Sequence, residues 1–173
     1  KFLQPIGWLV LLIGFTLFFF DIREILAKRS KKKLDRPFSF SIIAIYFGYA
    51  LHLFAFLVSI LDASNMKLWA ILTYLYLMTW VIFSILGYLY KIVPVLWWTL
   101  KYSERVGKEK VPLLKDFINE KASVVYYCLF VIGTLGFALS AYFGMLPFIQ
   151  VFQGLLVIAA LLYSISIFRV LTK

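Results

Sequence analysis

The sequence predicts an all-α fold: a polytopic membrane helix bundle of five transmembrane helices, arranged N-out/C-in. Three observations carry this. Of the 173 residues 64% are hydrophobic, and the mean hydropathy is +0.94, against roughly 45–50% apolar in soluble domains. A soluble chain of this size could not hide so much apolar surface, so lipid has to solvate most of it. Apolar runs of spanning length recur five times, each able to cross a hydrocarbon core of roughly 30 Å. The 18 Lys and Arg residues are also divided very unequally between the two sets of connections, which is the signature that orients membrane helices.

The first span is expected over about 5–20, with Pro5 tolerated in its first turn, where the missing N–H is no loss. Asp21 and Arg23 end the apolar run, and a basic loop follows to Arg36. Pro37 opens the second span, about 38–61, which stops at Asp62-Ala63-Ser64-Asn65. The third, about 68–90, carries no charge until Lys91; Pro94 and the pair Trp97-Trp98 mark its exit. An apolar run, an aromatic pair and then basic residues is how a chain leaves a bilayer on its cytoplasmic side. Between Pro94 and Tyr102 the chain is expected to lie along the interface, because a straight helix there would overshoot the core. The fourth and fifth spans are about 122–143 and 148–168, joined by Gly144-Met145-Leu146-Pro147. Residues 1–173 thus form a single transmembrane bundle. Because the chain starts at Lys1 and enters an apolar helix at once, either a few residues have been trimmed or it is a piece of a longer protein, and a piece, its C-terminal part, is the expectation.

Seven Lys/Arg lie in 21–36, seven in 91–121 and two at the C-terminal end, leaving only Lys1 and Lys67 for the opposite face. All eight acidic residues fall in connections. The net charge of +10 therefore points to anionic headgroups, not nucleic acid. Lys28, Arg29, Lys31, Lys32, Lys33, Lys91, Trp97 and Trp98 are the expected interface and lipid contacts.

Ser41, Ala44, Gly48, His52, Ala55 and Ser59 follow steps of three or four and share one helical face. Small residues let a second helix approach closely, so Gly48 is a packing position. Gly136, Ser140 and Gly144 form a similar row in the fourth span. Thr73, Tyr76, Trp80, Ser84, Tyr88 and Lys91 make a stripe on the third, facing neighbouring helices or lining a hydroxyl route. His52, alone of its kind and near mid-membrane, has two readings. It either hydrogen-bonds a neighbouring helix or a water, or acts as a haem axial ligand with the small-residue face making room for the porphyrin. No second histidine exists to complete a bis-His haem.

Cys128 is the lone cysteine, which excludes an intrachain disulfide and a Cys-based metal site. No phosphate loop, dinucleotide fingerprint or Ser-His-Asp set is present. The spans offer only His52, Cys128 and tyrosines as titratable groups, too few for acid–base catalysis by this chain alone.

The segment from Trp80 to Pro94, with Gly87 and the exit Tyr90-Lys91-Ile92-Val93-Pro94, resembles small bacterial membrane proteins similar to haem-copper oxidase subunit I and the NnrS-like haem proteins. Val106 to Leu114 resembles a loop of the same proteins. The resemblance covers about 35 of the 173 residues. It implies a bacterial inner membrane location, bound haem and a role in respiration or nitric oxide handling. Many such proteins carry a His-x-His pair where this chain has Leu72 and Tyr74, so any haem would rest on His52 or on a partner. The alternative expectation is a non-enzymatic subunit or scaffold that assembles with partner membrane helices. A small transporter is disfavoured by the lack of carboxylates in the spans.

Overall fold

The computed structural model describes residues 3–30 and 36–172. Among them the chain is all-helical without a strand, and five helices are long and apolar enough to span a membrane. They are α1 (Leu3–Lys28), α2 (Arg36–Leu61), a composite third span, α5 (Glu120–Phe143) and α6 (Leu146–Leu171). The third span comprises α3 (Met66–Leu75), a π-helical segment (Tyr76–Ile82) and α4 (Phe83–Tyr102).

Two expected boundaries are corrected. Asp21 and Arg23 do not end the first helix, which continues to Lys28. They carry charge but break no backbone bond, and Glu24 pairs with Lys28 one turn on. Nor does the chain turn aside at Pro94: helix runs through it to Tyr102. The continuous stretch Met66–Arg105 has 40 residues, about 60 Å at 1.5 Å per residue, so one end must project well past a core of about 30 Å. The following loop folds back onto that projection. Trp98 Nε1 donates to Pro112 O at 2.8 Å, and buried Phe117 meets Tyr102 at 6.0 Å between ring centroids.

The turns are set by local chemistry. Asn65 caps α3 by accepting from Leu68 N at 3.0 Å, and its amide donates to Asp62. Asn119 caps α5 in the same way through Lys121 N and Ala122 N. Gly144 ends α5 in the left-handed region at φ 70°, while Met145 N reaches back to Ser140 O at 2.9 Å. Gly144 is therefore a helix terminator and not the packing position expected: nothing lies within 4 Å of where its Cβ would be.

The core joins α2, α4, α5 and α6. Phe40 stacks on Tyr127 at 4.0 Å, with Phe83, Phe130 and Tyr163 packed around them. A hydroxyl withdrawn from water is costly unless bonded, and each core tyrosine has a partner on another helix. Tyr163 donates to Leu86 O at 2.8 Å, Tyr90 to Ser166 Oγ at 3.0 Å, and Tyr127 to Phe40 O at 3.4 Å. Gly133 and Gly136 let α6 approach α5, since a Cβ at either would collide with Leu156 or Phe152. Ser140 is buried on the same helix.

The first helix is held mainly by α2, where Phe19 stacks on Tyr49 at 4.8 Å, and also meets α3, where Trp8 stacks on Trp69 at 5.5 Å. Lys67 lies over Tyr142, so the α2–α3 and α5–α6 turns share one end of the bundle. The basic connections gather at the other, where Arg36, Lys115 and Lys121 line a common concavity.

Candidate functional site

The small-residue face of α2 points inward: Ser41, Ala44, Gly48, His52, Ala55 and Ser59 are all buried. His52 is 5% exposed. Its Nδ1 lies 2.7 Å from Gly48 O, one turn back on the same helix. A carbonyl oxygen can only accept, so Nδ1 carries the proton and, in the neutral ring, Nε2 is left as an acceptor.

Aromatic side chains from two other helices fix the ring. Phe15 of α1 stacks on it at 4.4 Å, and the edges of Trp8 and Tyr76 meet it at 6.3 and 5.5 Å. Beside it lies a cavity of about 180 Å³, lined by His52, Ala55, Trp8, Trp69, Leu72 and Tyr76 among others. The lining is apolar apart from the imidazole, the hydroxyls of Thr73 and Tyr76 and the indole N–H groups of Trp8 and Trp69, the last of which donates to Ala63 O. Thr73 already donates to Trp69 O at 2.9 Å. An apolar pocket with a few converging polar groups is the ordinary form of a small-molecule site.

The π-helical segment shapes this region. Its wider turn, with i→i+5 bonding, shifts the register between α3 and α4. Leu72, Thr79, Phe83, Leu86 and Tyr90 face inward, while Thr73, Tyr88 and Lys91 are exposed. The stripe expected from Thr73 to Lys91 is thus not the buried face: it runs about one residue away from the inward set, with Tyr76, Trp80 and Ser84 half-buried.

The space above Gly48 is not open for a porphyrin. A Cβ there would come within 2.7 Å of Phe15 and 2.8 Å of Trp80, so those two rings already fill the gap that the small residue creates. The adjoining 180 Å³ is close to cavities of about 150 Å³ that hold a single benzene ring, far smaller than a tetrapyrrole requires. The residues present do not fit haem. Among the described residues no group of three or more His, Cys, Asp or Glu could hold a metal ion.

The remaining expected site residues lie elsewhere. Lys28 ends α1 in its pair with Glu24, and Arg29 follows, half-buried. Lys31, Lys32 and Lys33 lie outside the described residues. Lys91 sits over the Phe38 ring at 4.7 Å. Trp97 lies under Lys101, and Trp98 anchors the loop. Cys128 faces outward from α5.

Sequence reasoning passed over Trp8, Phe15 and Trp69. The signal that could have found the first two was their seven-residue spacing on one face of α1, though aromatic residues are so common here that spacing alone singles out little. No family model, curated protein or solved structure matches the chain, and so none of these comparisons bears on the haem-copper oxidase or NnrS resemblance.

Proposed function

We propose that this chain is a multi-pass membrane protein lying N-out/C-in, and that it serves as a non-enzymatic binding subunit. Its ligand is a small, mainly apolar molecule dissolved in the bilayer, held in the His52 cavity. The carrying observation is the imidazole itself: Nδ1 is engaged by Gly48 O, which leaves Nε2 as the acceptor of the neutral ring, and the ring lines an aromatic cavity of one-ring size. Such a site selects a flat molecule with one hydroxyl to donate to Nε2, since a hydroxyl carried into an apolar cavity is costly unless it is bonded. The orientation follows from the basic residues gathered at one end of the bundle, which favour the cytoplasmic face.

Thermal unfolding of the detergent-purified chain tests the site, with 4-propylphenol and its methyl ether as probes. The phenol should raise Tm more than the ether, and Ala55→Phe, which fills the cavity, should abolish the difference. Equal shifts from both probes, or a shift that survives Ala55→Phe, would overturn the reading.

Haem at His52 is the second reading, and one observation favours it: a bond from Nδ1 to a backbone carbonyl is how ligating imidazoles are commonly oriented. Against it stand Phe15 and Trp80 over Gly48, and the apolar Leu72 lining the cavity. A Soret band in the purified chain that vanishes in His52→Ala would establish haem binding and displace the small-molecule reading.

A further inference from the structure

Ala159, Tyr163 and Val170 turn one side of α6 into the bundle and are buried there. On the opposite side Gln150, Gly154, Val157, Leu161, Ser164 and Phe168 are all exposed. Their steps alternate four and three, the spacing of a seam along which two helices wind around each other. Gln153 flanks the seam and is exposed as well.

The composition of this seam is unlike that of a surface left to lipid. The neighbouring helix α5 turns Val125, Cys128, Ile132, Leu135 and Leu139 outward, a face that acyl chains solvate readily. On α6 the outward face holds two primary amides, a hydroxyl and a glycine. Gln153 and Ser164 each lie about 8 Å along the axis from the middle of α6, inside a core that reaches about 15 Å either way. Acyl chains offer an amide no hydrogen bond, and a polar group held among them without one is costly. A second helix removes that penalty, because Gln and Ser side chains bond across helix pairs.

The same residues select which helix. Two copies of this chain in one membrane point the same way, so a two-fold axis sets each seam position against its own counterpart. A primary amide carries both donors and an acceptor, and Gln150 is therefore complementary to the same residue of a second copy. Gly154 has nothing within 4 Å of where its Cβ would stand, which leaves the two backbones room to approach.

We propose that this face of α6 is the interface of a parallel homodimer, with Gln150 bonding across it, Gln153 on its rim and Gly154 at the closest approach. It is independent of the His52 cavity, whose lining comes from α1, α2 and the third span.

The test uses the full chain in liposomes, first with cysteines placed in a Cys128→Ser background and oxidised. Val157→Cys, on the seam, should give a disulfide-linked dimer. Ile158→Cys, beside the seam, and Ile132→Cys, on the outer face of α5, should stay monomeric. Gln150→Leu/Gln153→Leu should weaken dimerisation, read by energy transfer between labelled copies, about tenfold, the scale of an interhelical hydrogen bond between model helices. Gly154→Val should weaken it too, while melting of the single protomer in dilute micelles stays unchanged. Equal crosslinking at positions 157, 158 and 132 would reduce the contact to random collision and overturn the interface. So would unchanged or tighter association of the leucine variant, or a chain that stays single at every protein-to-lipid ratio. Crosslinking of Val157→Cys in cells to a protein of different mass, in place of a dimer, would overturn the assignment to a second copy.

Discussion

Replacing Gly48 with alanine adds one methyl group where side chains from two other helices press on α2. The new Cβ would lie 2.7 Å from Phe15 Cζ and 2.8 Å from Trp80 Cε3, whereas carbon atoms in good contact sit about 3.5–4.0 Å apart. Each ring would have to retreat by roughly 1 Å. Neither can do so freely, because Phe15 is stacked on His52 at 4.4 Å and meets Trp80 at 4.9 Å. Overpacking of this kind costs about 1–3 kcal/mol. Alanine also favours helix over glycine by roughly 0.5–1 kcal/mol, so the fair control is Gly14→Ala, where nothing lies within 4 Å of the added Cβ. For a chain of this length 1 kcal/mol moves Tm by about 2–4 °C. Gly48→Ala should therefore melt about 2–12 °C below Gly14→Ala in detergent, as read by fluorescence-detected size exclusion. Adding Phe15→Ala should recover part of the Gly48→Ala loss, giving a non-additive cycle. Equal melting of the two alanine variants would refute the packing of α1 and the third span over Gly48.

Tyr163→Phe removes the bond to Leu86 O and should lower stability by about 0.6 kcal/mol, with roughly 1.7 as a ceiling for such bonds in membrane proteins; a loss above 3 kcal/mol in a steric-trapping assay would contradict that role. Gly136→Val should destabilise by about 1–3 kcal/mol through collision with Phe152, whereas Gly154→Val, with open space around it, should cost less than 1 kcal/mol in the same assay. Trp98→Ala removes the bond to Pro112 O and should speed tryptic cleavage at Lys108 and Lys110 several-fold; an unchanged cleavage rate would show that Trp98 does not hold the loop. Glu24→Gln breaks an exposed pair with Lys28 and should change stability by less than about 0.5 kcal/mol, so a larger loss on thermal unfolding would mean the pair does more than join two solvated side chains.

What the sequence could and could not reveal follows from the range of the forces involved. The five spans were legible because hydropathy over some twenty residues is a local property. The inward face of α2 was legible because Ser41 to Ser59 keep a regular helical step. The inward face of the third span was not: nothing local in Tyr76–Ile82 announces a π-helix, and a stripe chosen for its hydroxyls ran about one residue away from Leu72, Thr79, Phe83, Leu86 and Tyr90, which are the buried positions. Past Pro94 the chain was expected to lie along the interface because a straight helix would overshoot the core, yet the helix runs on through Pro94 and the following loop folds back onto the part that projects. Gly144 illustrates a different ambiguity. Four-residue spacing suits a packing seam and a helix terminator alike, and only its left-handed backbone separates the two. The small residue at 48 was correctly placed inward, but what fills the space above it comes from Phe15, 33 positions earlier, a contact that no local pattern encodes.

The α2–α3 turn and the 103–119 loop lie at opposite ends of the five-helix bundle, and the proposed orientation puts the first outside and the second inside. In a Cys128→Ser background, Ser64→Cys and Ser103→Cys can be probed in intact cells with a membrane-impermeant maleimide. Ser64→Cys should label from outside, and Ser103→Cys only after the membrane is permeabilised. Labelling of both from the same side would contradict the arrangement.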